Sequence, residues 1–234
     1  MQTLKTFKRL LAVTALLGAA AASHASIIPL GPVSQLGTGL GAVNTVLTLG
    51  NNSQTGLTSG SVIRSGGMDM TTGNAMTGNA QYSTYSFGQL GIADTADLLF
   101  IFNANEPGNP ALNSVTVESL ILSIYSDLGG AALFTASLAS PVFLADTQNG
   151  IGQAGYAFGL DADQAAAAQF FLTTTNRVGL AASLSSATGG IDTFYVSVLD
   201  NGGGGNEVPE PGSVALLGLG MFGAWAIRRR GAKI

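Results

Sequence analysis

The sequence contains no cysteine and a single histidine, His24. Without cysteine, no disulfide can staple an exported domain, so any stability has to come from an ordinary core. If His24 is lost with a cleaved leader, the mature chain has no histidine either. A Ser-His-Asp or Cys-His relay is then excluded, and so are zinc sites built on cysteine or histidine. Basic residues are scarce in a patterned way. Seven of the nine Lys and Arg lie in two short terminal segments, leaving only Arg64 and Arg177 between them. All thirteen acids fall between Asp69 and Glu210, so residues 26–212 carry a net charge of −11. Such a body repels nucleic acid and anionic lipid head groups, and no nucleic-acid partner is expected. It is compatible with cations or neutral glycans, and acidity for solubility is the simpler account.

Charged residues make up only 9% of the chain, against about 25% in typical globular domains. Gly, Ser, Thr and Asn carry the polarity instead. The 33 glycines and the 46% of hydrophobic residues suit a loop-rich β fold better than a charged helical bundle. They also argue against disorder, which needs low hydrophobicity and high charge.

Met1 to Ala25 has the three parts of a secretory leader. Lys5, Lys8 and Arg9 form a basic start, Leu10 to Ala22 an apolar stretch too short to span comfortably, and Ser23-His24-Ala25 a small-residue exit. Signal peptidase is expected to cut between Ala25 and Ser26.

From Ser26 the pattern is of short strands. Ser26 to Gly60 is irregular, with Pro29 and Pro32 and then glycines; Thr45 to Leu49 reads as a strand, Asn51-Asn52-Ser53 as a turn, and Val62-Ile63 as another short strand. Thr72 to Ala80 repeats a five-residue unit twice, too few copies for a solenoid, and reads as a polar, weakly ordered loop. Tyr82 to Phe87 is rich in strand formers. Leu98 to Asn103 is apolar on both faces, as in a buried strand. Val115 to Ser126 is the longest strand, with Leu120, Leu122 and Ile124 sharing a face. Asp127-Leu-Gly-Gly130 turns it back through Ala132 to Leu138. Pro141 ends that return or places it at an edge. Asn149-Gly150 signals a turn before Tyr156, Phe158 and Leu160. Asp161 with Gln164 opens a short helix as a variant capping box, running to about Leu172. Arg177 to Leu184 and Thr193 to Leu199 return to strand.

The expected class is all-β: an antiparallel β-sandwich, with a jelly-roll arrangement as one form, carrying one short helix. A β-barrel or β-helix is the alternative. A signal helix precedes it and a transmembrane helix follows. The expected domains are a signal peptide at 1–25, the exported β domain at 26–200, a Gly-rich linker at 201–207 and a sorting segment at 208–234.

Chemistry-bearing residues are few. Asp94 with Asp97, and Asp161 with Asp163, are carboxylate pairs of the kind a glycosidase uses, yet Asp161 is better explained as a cap and Asp163 as a first-turn acid. Asn103, Asn105 and Glu106, near Asp94 and Asp97, are oxygen donors on a loop and make calcium a candidate cofactor without EF-hand spacing; a solvated turn explains them as well. Tyr82, Tyr85, Tyr125, Tyr156 and Tyr195 are candidates for a glycan platform, though strand aromatics pack in cores by default. No catalytic residue and no metal ligand is assigned, and the domain is expected not to be an enzyme. A secreted, carboxylate-dependent glycoside hydrolase is the alternative.

The end of the chain carries the sharpest signal. Ser213 to Ile227 has no charged residue; as a helix it is roughly 22 Å long, short for a hydrocarbon core of about 30 Å, so bilayer thinning or snorkelling is needed. Arg228, Arg229 and Arg230 follow, a basic cluster that stays cytoplasmic and leaves everything before Val208 outside. Pro209 and Pro211 hold Val208-Pro209-Glu210-Pro211 extended beside the membrane, a good presentation to a processing enzyme.

In this order, Pro209-Glu210-Pro211, the apolar span and the Arg cluster resemble the PEP-CTERM sorting signal of Gram-negative bacteria that make exopolysaccharide. The likeness covers about the last tenth of the sequence. It implies handling by an exosortase, a membrane-embedded transpeptidase-like enzyme, with the C-terminal helix as a transient membrane anchor. It also implies delivery to the cell surface or extracellular matrix, where exopolysaccharide is a candidate partner. A permanently anchored periplasmic binding module is the other reading of the same tail.

Overall fold

The computed structural model describes residues 26–33, 43–50, 55–104, 114–144 and 155–199. They belong to the first of two compact units, Met1–Leu199; the second, Asp200–Ile234, lies outside the described residues. The first unit is built of strands, as expected. In chain order they are β1 (Ser26–Val33), β2 (Asn44–Leu49), β3 (Thr58–Ser65), β4 (Met68–Gly73), β5 (Tyr85–Ser86), β6 (Leu98–Asn103), β7 (Val115–Tyr125), β8 (Phe134–Leu138), β9 (Val142–Leu144), β10 (Gly155–Leu160), β11 (Arg177–Ser185) and β12 (Asp192–Val198). Helix α1 (Phe87–Leu90) follows β5, a 3-10 turn (Thr95–Asp97) leads into β6, and α2 (Ala162–Gln169) follows β10.

The expectation of a two-sheet antiparallel sandwich needs a correction. The strands follow one continuous path, β2-β12-β6-β10-β1-β8-β7-β11-β3-β4, with β5 paired to β11 and β9 to β7. This is a curled open sheet. The physical reason is β1. It pairs antiparallel with β10 along its length, and through Ser26 and Ile27 it also pairs parallel with β8. One strand thus joins the half β2-β12-β6-β10 to the half β8-β7-β11-β3-β4. That rung pair is the one parallel contact among the described ladders; the others are antiparallel.

Beyond Ile27, the β8-side edge of β1 has no ladder partner among the described residues. Pro29 and Pro32 lie there, where a residue without an N–H costs least. The ladder to β10 also shifts register between Pro29 and Gly31.

Period-two alternation fills the core between the two halves. From β7 come Leu120, Leu122 and Ile124, and from β11 Val178, Leu180 and Leu184; β6, β10 and β12 send Phe100, Phe102, Phe158, Phe194 and Val196 into the same cluster. Phe102 and Phe194 are cross-strand partners whose ring centroids lie 4.6 Å apart. The two-faced pattern of Leu98 to Asn103 also holds: all six residues of β6 are buried. Their second face forms a small cluster of Leu99, Ile101, Ala157 and Tyr195, with Val33 and Val43 against it.

Two local readings are corrected. Thr72 to Ala80 is not a weakly ordered loop throughout. Thr72 and Gly73 end β4, and the next residues pair with the free edge of β2: the Gly50 N–H donates to Asn74 O (3.0 Å) and the Met76 N–H to Thr48 O (2.9 Å). Isolated bridges Leu49↔Ala75 and Leu47↔Tyr82 continue that contact and bring the two ends of the curl together. Backbone partners decided this segment, and backbone groups leave no mark in side-chain composition. In Tyr82 to Phe87, only Tyr85 and Ser86 are strand. Ser86 caps α1 instead, with its hydroxyl accepting from the Gln89 N–H and the Gln89 side chain accepting from the Ser86 N–H. This reciprocal capping box outweighs the strand propensity of its neighbours.

Candidate functional site

The two arginines of the body are brought to one place. Strand β11 pairs with β3 from Leu180 to Leu184, and with β5 through Arg177 and Val178. Gly179 stands at the fork between them. A Cβ there would lie 2.5 Å from the Val62 carbonyl oxygen and 3.0 Å from Tyr125 Cε2, so the close approach requires glycine. The fork lets Ser83 and Thr84 reach β4, where Asp69 waits.

Asp69 is the hub. Its Oδ1 accepts from Arg64 Nη1 at 3.0 Å and from the Thr84 hydroxyl, and its Oδ2 accepts from the Thr84 N–H at 3.0 Å and the Ser83 hydroxyl at 3.1 Å. Thr84 is fully buried. Its hydroxyl oxygen in turn accepts from Arg177 Nε at 2.9 Å, and its carbonyl from Arg177 Nη2 at 2.5 Å. Arg64 Nε donates to the Asp127 carbonyl at 2.8 Å. The Asp127 carboxylate lies 3.5 Å from Arg64 Nη2 and 3.6 Å from Arg177 Nη1.

Burial pushes the Asp69 carboxyl up, but the bonds from Thr84, Arg64 and Ser83 outweigh it and hold the group below its ordinary value of 3.8. The neighbouring Tyr85 hydroxyl is pushed above 10.0, first by burial and then by the charge of Asp69. The arrangement sets two aspartates against two arginines. Chemically it is a clasp: every charge in it has a counter-charge at hand, and it ties β4, the 83–84 segment, the β7–β8 turn and β11 together. Sequence reasoning missed this cluster. The available signal was that the acidic body keeps only Arg64 and Arg177, which makes each a natural meeting point for carboxylates.

The carboxylate pairs named from sequence are placed otherwise. Asp94 caps the 3-10 turn, its carboxylate accepting from the Ala96 N–H at 2.9 Å, and Asp97 lies in that turn. Asp161 caps α2, accepting from the Gln164 N–H at 2.8 Å, with Asp163 in the first turn. The cap is as expected, although α2 ends at Gln169 rather than near Leu172. Of the calcium candidates, Asn103 is buried at the end of β6, while Asn105 and Glu106 lie outside the described residues. Among the described residues no group of three or more His, Cys, Asp or Glu stands together in a way that could hold a metal ion. Tyr82, Tyr85 and Tyr156 pack against the main core, while Tyr195 belongs to the small cluster and Tyr125 is buried; together they form no common exposed face.

Of the sorting and processing residues, Ser26 alone is described. It opens β1, pairs with Ser137, and accepts the Asp161 N–H on its carbonyl at 3.1 Å. The expected signal-peptidase cut thus falls at the first sheet residue. Ala25, Val208, Pro209, Glu210, Pro211, Arg228, Arg229 and Arg230 lie outside the described residues, as does the apolar span before the Arg cluster. Among the described residues, no helix is long and apolar enough to cross a membrane.

The comparisons with known proteins speak to this tail. The family model of the PEP-CTERM protein-sorting motif matches residues 207–230. The chain therefore carries a PEP-CTERM sorting motif at 207–230, and the resemblance read from Pro209-Glu210-Pro211, the apolar span and the arginines holds. The motif implies export to the cell envelope or surface and an exosortase-type processing partner. Neither the curated proteins nor the solved structures give a match to the chain.

Proposed function

We propose that this protein is a non-catalytic exported component of the cell surface or extracellular matrix. Signal peptidase cuts it between Ala25 and Ser26. The Ser213–Ile227 span then holds it transiently in the membrane with Arg228, Arg229 and Arg230 on the cytoplasmic side. An exosortase-type enzyme processes it near Val208-Pro209-Glu210-Pro211 and releases the β domain, which acts as a structural or glycan-binding module associated with exopolysaccharide.

The match of residues 207–230 to the sorting motif carries this reading. The body adds support. Its best-organised charged cluster is closed on itself, with Arg64 bonded to Asp69, Arg177 to Thr84, and both arginines facing Asp127. Asp94 and Asp161 serve as caps. A body of net charge −11 suits a setting of neutral polymer and cations.

The test is the intact mass and terminal peptides of the protein from native cells, with membrane and extracellular matrix separated. A matrix form that begins at Ser26 and ends within 208–212 is the expected result. A membrane form still carrying Arg228 to Ile234 would make the tail a permanent anchor and overturn the processing step. Turnover of a polysaccharide by the purified protein, lost on substituting an aspartate by asparagine, would overturn the non-catalytic assignment.

A further inference from the structure

Strand β1 occupies an unusual position. It is the first strand of the sheet in chain order, yet it lies in the middle of the path, between β10 and β8. Neither neighbour is close in sequence. Its sequence neighbour β2 is four places away along the path, about 19 Å at the usual strand spacing of roughly 4.8 Å. The ten residues between them, Ser34 to Val43, include Gly37, Gly39 and Gly41, and a chain of that length reaches up to about 35 Å. β1 therefore has no hairpin partner to hold it. The ladders it joins form only after β8 and β10 are in place, the costliest kind of contact to close.

Its hold on the β8 side of the groove is thin. Two rungs, Ser26↔Ser137 and Ile27↔Leu138, connect it to β8. The ladder to β10 is interrupted at Leu30, which is 52% exposed. Pro29 and Pro32 offer no N–H to any ladder. Ile27 alone among its side chains is buried in the main core, between Leu160 of β10 and Leu138 of β8.

We infer that β1 is an exchangeable strand: the groove between β10 and β8 accepts Ser26–Val33 from a second copy of this chain as well as from its own. The same residues make the same rungs in either case, so exchange costs no contact. The first exchange carries the cost of bringing two copies together; once it is made, the reciprocal exchange is intramolecular and favoured. Insertion of a strand beside an open sheet edge is an established mode of protein association, and exchange of an identical element is a low-cost route to dimers and chains. The leader cut of the proposed function, on which this step rests, would make Ser26 the chain terminus that threads the groove. Copies of net charge −11 repel one another, so exchange is faster when salt or divalent cations screen them. The inference goes beyond the sorting reading and does not depend on the tail.

The absence of native cysteine makes a clean test available. Ile28 and Gly159 are register partners on β1 and β10. A Cβ on Gly159 would meet only side-chain ends, the nearest being Leu30 Cδ1 at 3.0 Å. Leader-processed full-length I28C and G159C are purified separately, mixed, held under mild urea, and then oxidised. A heterodimer linked through positions 28 and 159, identified by peptide mass, is expected. It should increase with salt and be suppressed by excess synthetic peptide of the sequence Ser26 to Val33. The double variant I28C/G159C, oxidised after the same treatment, is expected to show dimers and higher species beside the internally linked monomer. Should the mixture give no such heterodimer while the double variant gives only the monomer, β1 is permanently its own copy's strand and the inference fails. P32C with Y156C, also register partners, repeats the test if either first variant fails to fold, and the same two outcomes decide it.

Discussion

Arg64 and Arg177 converge on the carboxylate of Asp127, at 3.5 Å and 3.6 Å, from the neighbouring strands β3 and β11. They differ in what else they hold. Arg64 ties Asp127 to the largely buried Asp69, while Arg177 grips Thr84 through its hydroxyl and carbonyl. Asp127 itself is 56% exposed. The two aspartates therefore contribute unequally.

Asp69→Asn removes the charge that accepts four hydrogen bonds and places an amide donor against other donors. A loss of about 1–3 kcal/mol in unfolding free energy is expected. Asp127→Asn, at a solvent-screened pair, should cost no more than about 1 kcal/mol. Urea denaturation of the two variants against the parent checks the order.

The pH dependence follows from the same groups. Asp69 is held below 3.8 in the fold, so the unfolded chain binds its proton first as pH falls. Its stabilisation is present above about pH 4 and is lost as pH drops through the folded value. Tyr85 is raised above 10.0, so its contribution is present below pH 10.0 and is lost as pH rises beyond it. Urea midpoints measured from pH 2 to 11 should fall at both ends, and D69N should flatten the acid limb.

Gly129 and Gly66 both have positive φ, +78° and +58°. At Gly66 a Cβ meets nothing within 4 Å, whereas at Gly129 it would run into the Arg64 carbonyl oxygen. Gly66→Ala should cost about 1–2 kcal/mol, the left-handed penalty alone. Gly129→Ala should cost more, and the difference measures how tightly the β3–β4 turn packs on the β7–β8 turn through the Ser65↔Gly129 bridge. Thermal melts of the two variants give the comparison.

Phe102 and Phe194 are both fully buried at the centre of the core. Phe102→Ala should lose about 3–5 kcal/mol, as expected for a cavity that its neighbours cannot fill. Phe143 on β9 is 65% exposed, and Phe143→Ala should change stability by about 0.5 kcal/mol or less. Chemical denaturation separates them.

Much of the fold was legible where side-chain period matched burial. The Leu120, Leu122, Ile124 face of β7, the two-faced β6, the turn at Asp127 to Gly130 and the Asp161 cap all rest on local rules that one strand or one turn satisfies by itself. β4 was not legible. In its Met68-Asp-Met-Thr-Thr-Gly73 sequence only Thr71 and Thr72 favour strand, and it is held by β3 and by Asp69. The clasp was invisible for a related reason. Asp69, Thr84, Asp127 and Arg177 are spread along the chain, and nothing local marks an aspartate that will meet an arginine.

The sequence by itself determined the class of the body, its acidity, its lack of cysteine, and the sorting motif, because composition and linear motifs are read without a fold. Only the tertiary structure decided that β1 joins the two halves of one curled sheet, that the 74–83 segment closes onto β2, and that two arginines and two aspartates form one clasp. Those outcomes depend on which backbone edges meet. Edge pairing is set by the packing of the whole core and leaves no local trace in the residues that take part.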